Sequence, residues 1–174
     1  MSALVSLRHL WAPRNQIERL PSSLAQLGGS LETLQVHENK IRALPKNIAG
    51  LAGKLRVLNL RKNQLRSELT GDDGGGSGVP ASLRMLTALE RLAIDGNGQL
   101  NELPDAGRVL TCLTRLAALS LDTLAFHATD AAVQRWVHEN VPELAVPQSR
   151  LPKSRMKEHL FGDAAKPQSN GIKL

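Results

Sequence analysis

The sequence predicts an α/β solenoid, a right-handed superhelix of about five stacked coils with a short parallel sheet along its concave side. Three observations point there. A set of aliphatic positions returns after 24 residues, the first four copies carry an asparagine at one fixed slot, and leucine fills 31 of 174 positions while Phe, Trp and Tyr together fill 4. A fixed period of this length is the mark of a repeat array. With so few aromatics, the core must be built from branched aliphatics.

The first copy is Leu7, Leu10, Ala12, Asn15, Ile17, Leu20, Pro21, Leu24 and Leu27. Leu31, Leu34, Val36, Asn39, Ile41, Leu44, Pro45, Ile48 and Leu51 fill the same slots in the second. The third runs through Leu55, Leu58, Leu60, Asn63 and Leu65, then resumes at Val79, Pro80, Leu83 and Leu86 after an insertion of about eleven residues. Leu89, Leu92, Ile94, Asn97, Leu100, Leu103 and Pro104 form the fourth, and Leu116, Leu119 and Leu121 the fifth, which has Leu124 in the asparagine slot.

Each Leu-x-Leu alternation predicts a short strand with one buried and one outward face. The asparagine ends it. A buried amide both donates and accepts, so stacked copies would align Asn15, Asn39, Asn63 and Asn97 into a ladder that satisfies backbone groups. The Pro-x-x-Leu segment then returns the chain along the convex side. One copy cannot offset the entropy of ordering itself, so neighbours must cover both of its open faces.

The pattern resembles the leucine-rich repeat family, in particular the intracellular subclass with a Leu-Pro step, shared by Ras-pathway scaffolds and related plant proteins. The resemblance covers residues 4–124. It implies a protein-binding scaffold, cytoplasmic and concerned with signalling, but no particular activity.

The chain divides into an array over 1–127, with an insertion loop at 70–78, a capping segment over 128–146, and a basic tail over 147–174 expected to be disordered. In the capping segment Thr129 or Asp130 can cap a helix that puts Val133, Trp136 and Val137 on one face, with Trp136 covering the last repeat. At the other end Leu7 opens a strand almost at once. That strand is expected to be an open edge, which suggests a fragment or self-association through the uncapped first repeat.

Several chemistries are excluded. No apolar run is long enough to span a bilayer, and Arg8 and His9 interrupt the start where a signal peptide needs its apolar stretch. The single cysteine, Cys112, rules out an internal disulfide framework, fits a reducing compartment and belongs to a small apolar slot on the convex side. The glycine-rich stretch Thr70–Gly78 lacks the Gly-Lys-Ser/Thr ending of a phosphate loop. Asp95-Gly96-Asn97-Gly98 opens like a calcium loop, but Leu100 and Ala106 stand where glycine and glutamate are required. The five histidines have no metal-binding spacing. No catalytic residue, metal or cofactor is expected.

Binding is expected on the concave side, where outward residues form columns. One is Trp11, Gln35, Asn59, Ala93 and Ser120; the next is Pro13, His37, Arg61, Asp95 and Asp122; a third is Arg14, Glu38, Lys62, Gly96 and Thr123. The candidate protein-binding residues are Trp11, Arg14, Gln35, His37, Asn59, Arg61, Lys62 and Asp95. Trp11 reads either as an anchor for a partner or as a cover for the open first strand. Lys and Arg number 11 against 4 acids in residues 1–68, 5 against 10 in 69–147, and 6 against 2 in 148–174. This polarity favours an acidic or mixed-charge partner over the first three repeats. Two other readings stand beside it: the recognition arm of a larger enzyme such as a kinase or ubiquitin ligase, and nucleic-acid binding. The second is disfavoured because no aromatics interleave with the cations.

Overall fold

A computed structural model of the chain describes residues 6–67, 79–100, 106–122, 126–127, 129–145 and 171–173. Six strands of three residues follow one another along the chain: β1 (His9–Trp11), β2 (Thr33–Gln35), β3 (Val57–Asn59), β4 (Arg91–Ala93), β5 (Ala118–Ser120) and β6 (Glu143–Ala145). They pair in parallel with their nearest neighbours in sequence, and a seventh strand, β7 (Gly171–Lys173), lies on the far side of β1. The strands are short because the chain must turn as soon as one leucine has been buried. That leucine is the middle residue of the first six strands: Leu10, Leu34, Leu58, Leu92, Leu119 and Leu144 stand in register across the sheet. The four inner ones are fully buried.

The Leu-Pro step has a local cause. Pro21 and Pro80 are extended, with φ near −70°, and have no N–H to offer a strand. Pro carbonyls accept from the third residue onward, Leu24 to Pro21 at 3.0 Å, Ile48 to Pro45 at 2.9 Å and Leu83 to Pro80 at 2.9 Å. Each such bond begins a 3-10 turn: Ser22–Leu27, Ile48–Leu51 and Ala81–Met85. A 24-residue coil leaves little chain for its return, and the tighter helix fits the space. The first two turns pack so closely that a Cβ on Gly28 would lie 1.7 Å from the Gly50 carbonyl oxygen. Later coils use α-helices, α1 (Ala106–Cys112) and α2 (Ala131–Asn140). Asp130 caps α2, its carboxylate accepting from Val133 N at 2.9 Å, while Val133 and Val137 are buried and Trp136 is packed half-buried against the core.

The asparagine ladder binds each coil to the one before it. Asn39 donates to its own coil at Val36 O (3.0 Å) and to the preceding coil at Ala12 O (2.9 Å), while its oxygen accepts from Ile17 N (3.0 Å). Asn63 repeats this with Leu60 O, Val36 O and Ile41 N, all at 3.0 Å. Asn97 does so with Ile94 O, Leu60 O and Leu65 N at 2.7, 3.1 and 3.0 Å. In the fifth coil Asp122 takes over part of the task, accepting from Gly96 N at 2.9 Å and Asn97 N at 3.1 Å.

Three expectations change. The sheet continues past the fifth strand, because Glu143–Ala145 after α2 pair in parallel with β5 and set Leu144 in register with Leu119. The edge of β1 is not open, since Gly171–Lys173 of the tail run parallel to it. Cys112 is exposed at the end of α1 and fills no apolar slot. The insertion loop at 70–78, most of the remaining tail, and Leu4, Leu103, Pro104 and Leu124 lie outside the described residues.

Candidate functional site

The path of the chain after each strand decides which side chains meet on the outward face of the sheet. Arg14, Glu38, Lys62 and Gly96 occupy one slot in four successive coils and have φ of 55°, 56°, 50° and 74°. Left-handed backbone suits glycine and strains the other three. Pairing between coils holds them there: Arg14 N donates to His37 O at 3.0 Å, Glu38 N to Arg61 O at 2.9 Å, and Lys62 N to Asp95 O at 2.9 Å.

The three strained residues form an ion ladder. Arg14 Nε lies 3.2 Å from one Glu38 oxygen and Lys62 Nζ lies 3.4 Å from the other. Partial desolvation works to raise the Glu38 carboxyl, but the charges and hydrogen bonds of Lys62 and Arg14 outweigh it and hold the group below its ordinary 4.5. A depressed carboxylate contributes stability above its unfolded pKa and loses it as pH falls through the folded value. The contribution is screened at this surface and amounts to a few tenths of a kcal/mol. Urea titrations should therefore show wild type slightly above Glu38→Gln at neutral pH, with the gap closing between about pH 5 and about pH 3. A gap that persists at the acid end would assign it to packing instead of charge.

Beside the ladder lies a polar cluster across β2, β3 and the turn after β4. The Asn59 amide donates to Gln35 Oε1 at 2.8 Å and faces His37 Nδ1 at 3.3 Å, so a neutral His37 ring accepting there carries its proton on Nε2. Asn59 Oδ1 accepts from Arg61 N at 3.2 Å, and Arg61 Nε reaches Asp95 Oδ2 at 2.9 Å. The other Asp95 oxygen is buried without a hydrogen-bond partner among the described residues.

All eight candidate residues can thus be placed. Gln35, His37, Asn59, Arg61 and Asp95 form one connected network, and Arg14 and Lys62 are joined through Glu38. Trp11 is half-buried and registers with Gln35 across the β1–β2 pair. Glu38 was not among the candidates, although its column of alternating sign, Arg-Glu-Lys, carries the signal for an ion ladder. The outward positions are not uniformly open, since Asn59, Ala93, Asp95 and Ser120 are only 1%, 0%, 6% and 3% exposed. The accessible part of this face therefore lies toward Trp11, Arg14, Gln35, His37, Arg61 and Lys62.

Among the described residues no group of three or more His, Cys, Asp or Glu side chains could hold a metal ion. No described helix is long and apolar enough to cross a membrane.

No family model matches the chain, and neither does any curated protein. Among solved structures it is similar to a leucine-rich-repeat protein of Leptospira interrogans, at 23% identity and a TM-score of 0.44, over 63% of this chain and 31% of that one. The chain therefore spans under a third of the length of that solved protein.

Proposed function

We propose that the chain is a non-catalytic protein-interaction module, a right-handed leucine-rich-repeat solenoid of the intracellular Leu-Pro kind that holds one protein partner on its concave strand face. The observation that carries this reading is the connected network from Gln35 through His37, Asn59 and Arg61 to Asp95. Side chains tied to one another lose little freedom when a partner docks, so more of each contact survives as affinity. The network adjoins Trp11, whose large rigid ring is the type of group that anchors interfaces.

The ion pairs also bear on the partner's charge. Arg14 and Lys62 share Glu38, and Arg61 is committed to Asp95. The concave side is thus nearly neutralised from within, and a partner of mixed charge fits it better than a strongly acidic one. Within this proposal the residues in contact are Trp11, Arg14, Gln35, His37, Arg61 and Lys62 at the rim, with Asn59 and Asp95 holding them in place.

The test is affinity capture on the full chain, followed by titration of the captured protein against two variants. Trp11→Ala and Arg61→Ala combined should weaken binding by about 2 kcal/mol or more, roughly 30-fold. Arg84→Ala, on the exposed convex turn, should leave affinity unchanged. Equal affinity of both variants and wild type would remove the concave face from consideration.

A further inference from the structure

The direction of the hydrogen bonds around β1 can be read from its neighbours. Ala12 and Arg14 send their N–H groups to Gln35 and His37, and Arg8 offers its carbonyl to Glu32 and Thr33. Even-numbered residues of this stretch therefore face β2, and the N–H and C=O groups of His9 and Trp11 face the opposite way. Such an edge is a template for any extended chain. It is occupied by β7, with His9, Leu10 and Trp11 in parallel register with Gly171, Ile172 and Lys173. This register turns the N–H and C=O of Ile172 toward β1, between His9 and Trp11.

We infer that Gly171–Lys173 is a detachable cap that closes the β1 edge within the chain and thereby keeps it from pairing with the β1 edge of a second copy. The inference does not rest on the concave-face proposal. Reach is the first argument. The chain leaves β6 at one end of the sheet and returns at the other, across the order β6-β5-β4-β3-β2-β1-β7. Six steps of about 4.8 Å make a span of about 29 Å. Between Ala145 and Gly171 there are 25 residues, and at about 3.3 Å per residue their greatest reach exceeds that span more than twofold. A strand carried on the same chain as its edge meets that edge at a local concentration far above micromolar, on the order of millimolar.

Balance is the second argument. The few hydrogen bonds of β7 each contribute only modestly once exchange with water is counted, enough together to close the edge at a millimolar local concentration but not from dilute solution, so β7 depends on its tether. At micromolar protein the tethered strand outcompetes a second molecule. With β7 disabled, two-fold symmetry can set one β1 edge against another, since the same outward groups serve both sides of such a contact.

The experiment uses the full chain. Ile172→Pro removes the N–H that faces β1, while Ile172→Ala leaves the backbone intact. Wild type and Ile172→Ala should remain monomers in sedimentation at micromolar concentration, with a slowly exchanging Trp11 amide. Ile172→Pro should exchange that amide about tenfold faster or more when dilute, and should dimerise as concentration rises. Exchange at the wild-type rate would show that β7 does not cover β1. A fast-exchanging Ile172→Pro chain that stays monomeric throughout would equally overturn the inference, because the exposed edge would then have no use for a second copy.

Discussion

Replacing Asn63 with alanine is expected to destabilise the chain by about 3–4 kcal/mol, read as a lower urea midpoint at unchanged slope. The amide joins two coils through Leu60 O, Val36 O and Ile41 N. All of these bonds lie in the buried interior, where water cannot replace the lost partner. An orphaned donor bears its full desolvation cost, whereas a carbonyl with another lone pair engaged bears less. Asn63→Asp discriminates further, because a carboxylate can accept from Ile41 N but cannot donate to either carbonyl, so it should fare no better than alanine. Asn47 provides the comparison. Its amide also crosses between coils, to Ser22 O at 3.0 Å, but in an exposed position where water can replace the lost partner, so Asn47→Ala should cost only about 1 kcal/mol. Equal costs at the two sites would contradict the role assigned to the ladder.

Leu58→Ala is expected to cost about 3–5 kcal/mol, in the upper part of the range for buried leucines. Leu58 is fully buried and registers with Leu34 on one side and Leu92 on the other, both also fully buried. The size of the loss depends on whether neighbours can close the void. Here the backbone on each side is fixed by a strand pair, so the cavity stays open. Leu10, only partly buried at the β1 end, should lose about 1–2 kcal/mol on the same change. The pair of measurements reads out whether strength is concentrated in the middle coils.

Much of the fold was legible because one physical requirement recurs: a leucine inside, an asparagine at the turn, a proline before the return. Leu34, Val36, Asn39, Ile41, Leu44 and Ile48 all take the positions that periodicity assigns them. What escaped has a different cause. Leu144 lies in a coil whose asparagine slot has been lost and whose helix is followed by Pro142, so the period faded before the sheet did. The pairing of Gly171–Lys173 with β1 depends on a contact across nearly the whole chain, which no local pattern encodes. The candidate face was half legible. Columns of residues could be listed, but the left-handed turn that brings Arg14, Glu38 and Lys62 together is announced by a glycine in only one coil, at Gly96. Nor did the alternation reveal that Asn59 and Asp95 are sunk beneath their neighbours, since period two tells side from side and not depth from surface.

Asn39, Asn63 and Asn97 reach backward, each completing the coil before its own. Ile17 N and Ala12 O wait for Asn39, and Ile41 N and Val36 O wait for Asn63. On a ribosome, where the amino terminus emerges first, each of these turns would therefore remain unfinished until roughly two to three dozen further residues had been added, and the newest turn would always be the loose one. The protein matures one step behind its own synthesis.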